Sequence, residues 1–107
     1  MNDAGMILRT WKARTTPERI GDYLDQVEAV VIPHLRAQAG FAGAEFAQRQ
    51  LDDGRVEILV MTRWRSATAV AAFADGANAW LPDEIAATLL DSDDESRHYE
   101  SLVKIDP

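Results

Sequence analysis

Cysteine is absent from the 107 residues. Without thiols the chain can form no disulfide, no thiolate zinc site and no cysteine nucleophile. Histidine occurs only twice, at His34 and His98, so side chains that ordinarily titrate near neutrality are scarce. Basic residues are outnumbered, 11 Lys and Arg against 18 Asp and Glu, for a net charge of −7. Such a chain repels a phosphate backbone, which argues against nucleic acid as a partner. No apolar run approaches the roughly 18 residues of a bilayer span, so no membrane partner is expected. The N-terminal MNDAGMILRT has no basic segment followed by a long apolar one. No secretory signal is read there, and a cytoplasmic location is the default expectation. Also missing are the G-x-S-x-G, P-loop and dinucleotide-binding glycine patterns. The acidic run Asp91-Ser92-Asp93-Asp94-Glu95 does not fit the D-x-[DN]-x-[DN]-G pattern of a calcium loop. It reads as a solvated loop, and no metal site is expected.

What is present fits one domain over residues 1–107, with no internal repeat, low-complexity segment or linker. The strongest signal is RVEILVMTRWR, Arg55 to Arg65. Val56, Ile58, Val60, Thr62 and Trp64 fall on one face of a pleated strand, and Glu57, Leu59, Met61, Arg63 and Arg65 on the other. Its middle is apolar on both faces, as in a central strand covered on both sides. Asp52-Asp53-Gly54 joins it in a hairpin to an extended run from Phe41 to Leu51, where Gly43 marks a bulge or a close backbone approach.

A further strand is expected at Met6 to Arg14, with Arg9, Trp11 and Ala13 on one face. Thr16-Pro17-Glu18 then starts a helix. Ile20, Leu24, Val27, Val31 and Leu35 form its apolar stripe, widened by Tyr23 and Val30, as far as about Gln38. Pro33 should kink it, and Gly40 should close it. Ser66 caps a second helix, Ala67 to about Ala74, with Val70 and Phe73 facing inward. A short third helix, Asp83 to Leu90, precedes a last strand from Ser96 to Ile105.

The order β-α-β-β-α-(α)-β is an α+β, ferredoxin-like βαββαβ arrangement, a four-stranded antiparallel sheet with helices on one face. The other sheet face is left bare and carries apolar groups as well as charges. A second copy is expected to cover it, giving an isologous homodimer, sheet against sheet.

Five pieces in this order resemble the antibiotic biosynthesis monooxygenase (ABM) domain family of the dimeric α+β barrel superfamily. They are the Trp11 strand with its Thr-Pro-Glu helix start, and the passage from Ile32-Pro33 to Ala39-Gly40-Phe41. The Asp52-Asp53-Gly54 hairpin, Val60-Met61-Thr62-Arg63-Trp64 followed by Ser66, and Arg97-His98-Tyr99-Glu100 complete the set. The superfamily includes cofactor-independent oxygenases of polycyclic aromatics, haem-degrading enzymes, small isomerases and proteins with no known reaction. The resemblance implies that Trp64 borders a pocket between sheet and helices; core packing is the plain alternative. The haem-degrading branch implies an asparagine on the first strand, a tryptophan ending the third strand and a haem-ligating histidine on the second helix, and of these Trp64 matches. Thr10 and Trp11 stand on the first strand, and Ala67 to Ala79 holds no histidine, which disfavours that reaction.

Three tryptophans in 107 residues suit an aromatic ligand, so Trp11 and Trp80 join Trp64 and Phe73 as candidate walls. Core or interface packing is the competing account of Trp11 and Trp80. Tyr23, Arg9 and Asn78 are candidates to orient a substrate. His34 and His98 are the candidate acids or bases, set against the commoner role of a hydrogen-bonded or exposed histidine. The leading expectation is a cofactor-independent monooxygenase, taking a small aromatic or polyketide-like molecule and needing no cofactor. One alternative is a non-catalytic ligand-binding or stress-related dimer of the same fold. Another is an isomerase or cyclase working by proton transfer alone.

Overall fold

Strand β3, Val56–Trp64, alternates without exception: Val56, Ile58, Val60, Thr62 and Trp64 are buried, and the four residues between them are half-exposed. Its neighbours follow from that alternation. In this computed structural model, which describes residues 6–77 and 82–107, β1 (Ile7–Thr15) is followed by helix α1 (Ile20–Gln26), a π-helical turn (Val27–Val31) and α2 (Ile32–Arg36). Then come β2 (Phe41–Gln50), β3, α3 (Ala67–Ala77), α4 (Asp83–Ala86), β4 (Asp91–Ser92) and β5 (Arg97–Glu100). All pairings are antiparallel, and β3 lies between β2 and β1. The other edge of β1 is shared: Ile7–Thr10 pair with β5, and Ala13 and Arg14 with β4. The fold is therefore the expected ferredoxin-like sheet, with its fourth strand in two pieces. No helix among the described residues is long and apolar enough to cross a membrane.

The local signals operate as their chemistry requires. Ser66 Oγ accepts the Ala69 amide at 3.0 Å and caps α3, whereas Thr16 Oγ1 accepts the Arg19 amide at 3.2 Å in a turn that precedes α1, which begins at Ile20 and not at Pro17. The β2–β3 hairpin turns at Gly54, φ +88°, whose amide donates to the Leu51 carbonyl at 3.1 Å. Beside Gly43, φ +146°, the β2–β3 register slips between Phe41 and Gly43, which is the expected bulge.

Four expectations need correction. The first helical run continues through Pro33 to Arg36, and its irregularity lies one turn before the proline, in the π turn at Val27–Val31, not at Pro33 itself. Of the expected stripe, Val27 and Leu35 are buried together with Tyr23, while Leu24 and Val30 are exposed. The second helix extends to Ala77, and the third stops at Ala86. The acidic run is not simply a solvated loop. Asp91 and Ser92 pair with β1, and Arg14 forms ion pairs with Asp91 and, at 2.7 Å, with Asp93. Finally, the last strand ends at Glu100. Leu102, Val103 and Ile105 are exposed because β1 begins at Ile7 and the Ser101 amide has already reached the Met6 carbonyl, at 2.9 Å.

The helices pack on the inner face in two apolar clusters. One joins Ala13, Tyr23, Val27, Ile58, Val60, Ile85 and Leu89. The other joins Ile7, Leu35, Trp64, Val70 and Phe73. Between them, side by side on paired strands, stand Arg9 and Thr62, 7% and 1% exposed. A core built only for stability would place apolar groups there.

Candidate functional site

The seam between the two clusters opens into a cavity of about 240 Å³. Arg9 and Trp11 of β1, Val60 and Thr62 of β3 and Phe46 of β2 form its floor. Tyr23, Val31, Leu35, Phe73 and Ile85 come from the helical layer, and Ser92, Asp93 and Asp94 stand at the mouth. Each wall residue is placed by its element's period. The inward side of β1 and β3 carries 9, 11, 60 and 62, and the helical stripe carries 23, 31 and 35.

Arg9 is the unusual wall. Its guanidinium carbon lies 5.2 Å from the centroid of the Phe73 ring, and its Nε–H has no hydrogen-bond acceptor. No carboxylate pairs with it among the described residues, and burial pulls its pKa below the ordinary arginine value. Stacking on an aromatic face compensates part of the lost hydration, and a buried charge without an ion-pair partner remains expensive. Beside it, Thr62 Oγ1 accepts a hydrogen bond from Trp64 Nε1 at 2.8 Å, which leaves the hydroxyl hydrogen to be donated.

Tyr23 brings a phenol to the opposite wall. It is 2% exposed, and desolvation pushes its pKa up to about 12. The phenol is therefore protonated throughout the physiological range and can act as a donor. The folded-state value exceeds the ordinary value near 10 of an unfolded tyrosine. The resulting stabilisation is fully present below about pH 10 and is lost as pH rises through 12. Denaturant melts from pH 8 to 12 should show this decline, up to about 3 kcal/mol. Tyr23→Phe should be flatter over the same range.

At the mouth, Trp11 Nε1 donates to the Asp93 carbonyl at 2.9 Å, and the Asp93 carboxylate is engaged by Arg14. The indole and the β4 segment thus fix one another.

The other candidates are placed differently. Trp64 is completely buried and lies one layer behind the cavity, stacked on Phe73 at 4.6 Å between centroids and edge-on to Phe41 at 5.6 Å. It supports a wall instead of forming one. His34 is not among the lining residues; its ring is 6.2 Å from that of Phe73. His98 pairs with Arg9 across β1 and β5 and lines a second, open hollow formed by residues 93–99. The two hollows share Asp93 and Asp94. Desolvation, and then the charge of Arg9, lower the His98 pKa, so its imidazole is neutral at pH 7. Asn78 and Trp80 lie outside the described residues. Sequence reasoning missed Thr62, Phe46 and Val31 as walls. The inward alternation of β3 was the signal for Thr62, and the apolar stripe of the first helix, which includes Val31, was the signal for that residue; Phe46 carried no such mark. Among the described residues, no group of three or more His, Asp or Glu is arranged to hold a metal ion.

A sequence profile of the antibiotic biosynthesis monooxygenase family matches residues 6–79, more than half of the chain and every cavity wall except Ile85 and the mouth. The chain belongs to that family. Among solved structures, it is similar to a monooxygenase of Streptomyces coelicolor in complex with nanaomycin D, at 18% identity and TM-score 0.65, covering 98% of this chain and 94% of that one. A dimeric ferredoxin-like protein from an uncultured marine organism aligns at 10% identity and TM-score 0.66, over 98% and 95% of the two chains. A haem-degrading protein of Mycobacterium tuberculosis aligns at 20% identity and TM-score 0.59, over 96% and 99%. At these identities the likeness is one of fold. No curated protein sequence matches the chain. In this ABM-family chain, α3 carries no histidine and no histidine lines the cavity, so the residues do not fit haem held from that helix.

Proposed function

We propose that the chain is a cofactor-independent monooxygenase acting on a compact aromatic or polyketide-like phenol in the cavity between sheet and helices. The observation that carries this reading is the cavity itself. It is walled by Trp11, Tyr23, Phe46 and Phe73 and holds two buried polar groups on its floor, in a chain of the ABM family. Concave, mostly apolar sites with few polar groups are the usual form of small-molecule sites, and about 240 Å³ lies just below their usual range of roughly 300–1,000 Å³. The size suits one or two fused rings.

In the proposed reaction the substrate supplies the electrons. Loss of the phenol proton gives a phenolate, which adds dioxygen at a ring carbon. The O–O bond then breaks, one oxygen stays on the ring as a quinone carbonyl, and the other leaves as water. Phenol plus dioxygen thus becomes quinone plus water, with no external reductant. The protein has to accept a proton, stabilise the anion and exclude water. His98, in the adjoining open hollow that shares Asp93 and Asp94 with the cavity, is the candidate base. Tyr23 is the candidate donor to the reduced oxygen.

Oxygen consumption with a panel of polycyclic phenols and hydroquinones tests this. Uptake above the uncatalysed rate, with one labelled oxygen atom from dioxygen in the product, is expected. No uptake with any of them would remove the monooxygenase reading. A non-catalytic ligand-binding protein is the second reading, favoured by the absence of both histidines from the cavity wall; binding without oxygen uptake would select it.

The proposal includes a homodimer through the outer sheet face, where Leu8, Thr10, Leu59 and Met61 are half-exposed. Sedimentation at micromolar concentration should give twice the 11.9 kDa chain mass. A monomer there would contradict it.

A further inference from the structure

Given the cavity as the binding site proposed above, we propose that its ligand is a compact aromatic monoanion, with a carboxylate, phenolate or enolate oxygen seated between Arg9 and Thr62. Three observations converge on this. Arg9 is 7% exposed, lines the cavity, and has no acceptor for its Nε–H and no carboxylate partner among the described residues. Thr62, directly opposite on the paired strand, has its acceptor side occupied by Trp64 and its hydrogen available. Phe73 lies under the guanidinium, so a planar ligand reaching Arg9 meets an aromatic surface at the same place.

The chemistry of this pair selects for an anion. A guanidinium has only donors, and a threonine whose oxygen already accepts presents a donor as well. A neutral ligand leaves the buried charge uncompensated, whereas an anionic oxygen completes it with charge-assisted hydrogen bonds. The carboxylates nearby do not compete. Asp93 is engaged by Arg14 at 2.7 Å, and Asp94 is exposed at the mouth, where solvent screens it. The charge selection therefore comes from the floor of the cavity and not from its entrance.

Titration calorimetry on the full chain with naphthoate and naphthamide, matched in shape and differing in charge, tests the proposal. Naphthoate should bind about 10- to 100-fold more tightly than the amide. Arg9→Met should bring the two affinities close together, and Thr62→Ser should preserve the preference. The Arg9 Nε–H resonance of the unaltered protein should shift with naphthoate and not with naphthamide, a readout that stands even where Arg9→Met fails to fold. Equal affinities in the unaltered protein, or no binding of either at about 1 mM, would overturn the inference. Oxygen uptake plays no part in this measurement. A protein that selects the anion but never consumes oxygen would keep this inference and lose the monooxygenase reading; one that turns over neutral substrates without charge preference would do the reverse.

Discussion

Trp64→Ala should destabilise the fold by about 3–5 kcal/mol, the range for deleting a large buried aromatic. The indole has no exposed surface, stacks on Phe73 with 29° between ring planes, and meets Phe41 edge-on. Truncation removes both ring contacts and leaves a void between β3 and α3. It also strips Thr62 of its hydrogen-bond donor. Against a typical total of about 5–15 kcal/mol, that is a large fraction. Urea denaturation followed by circular dichroism measures it. Trp64→Phe separates the components: it should recover most of the packing and retain a deficit of about 1 kcal/mol for the lost indole hydrogen bond. A loss below about 1 kcal/mol for the alanine variant would mean that the site collapses around the void.

Gly40→Ala should be the second severe change, at roughly 2–4 kcal/mol, from two separable causes. Gly40 has φ +80°, where an L side chain is strained, and an added Cβ would lie 2.5 Å from the Cβ of Ala69 on α3. The backbone cannot easily retreat, because the Gly40 carbonyl accepts the Arg65 amide at 2.8 Å and ties the α2–β2 turn to the end of β3. A double-mutant cycle distinguishes the causes. Ala69→Gly alone should cost about 1 kcal/mol in helix propensity. Combined with Gly40→Ala it should relieve the steric part and leave the cost of the positive φ. Strict additivity of the two would show that the clash contributes nothing.

The sequence made the sheet readable because β3 and its hairpin obey local rules. Alternation from Val56 to Trp64, the Asp52-Asp53-Gly54 turn and the cap at Ser66 each depend on neighbours within a few residues. The split edge strand was not readable. Leu102, Val103 and Ile105 continue a plausible strand pattern, and only the position where β1 begins determines that, among the described residues, they pair with none. The site was readable in part. Arg9, Trp11, Tyr23 and Phe73 follow from the inward periods of their elements. That Arg9 would be buried without a counter-ion depends on residues up to 64 positions away, such as Phe73, and no local pattern encodes it. Trp64 drew attention by its size, yet its period-two position could not say whether the indole faces a cavity or sits behind one.

The π turn has a consequence for how the chain tolerates change in length. Tyr23, Val27, Val31 and Leu35 recur every four residues, and an ordinary α-helix advances about 400° in four residues, so such a row would wind away from the sheet by about 40° at each step. The wider turn at Val27–Val31 takes up much of that drift and brings Val31 and Leu35 back over the cavity. In effect it is a spacer one residue long. Deleting Ala29 would let the segment close into a regular helix, and the roughly 100° lost with that residue is the drift the π turn had absorbed, so Val31 and Leu35 would keep their direction over the cavity. Loss of a single residue inside the π turn would therefore be tolerated, whereas the same loss in α1, with the π turn kept, would swing the residues before it about 100° around the axis.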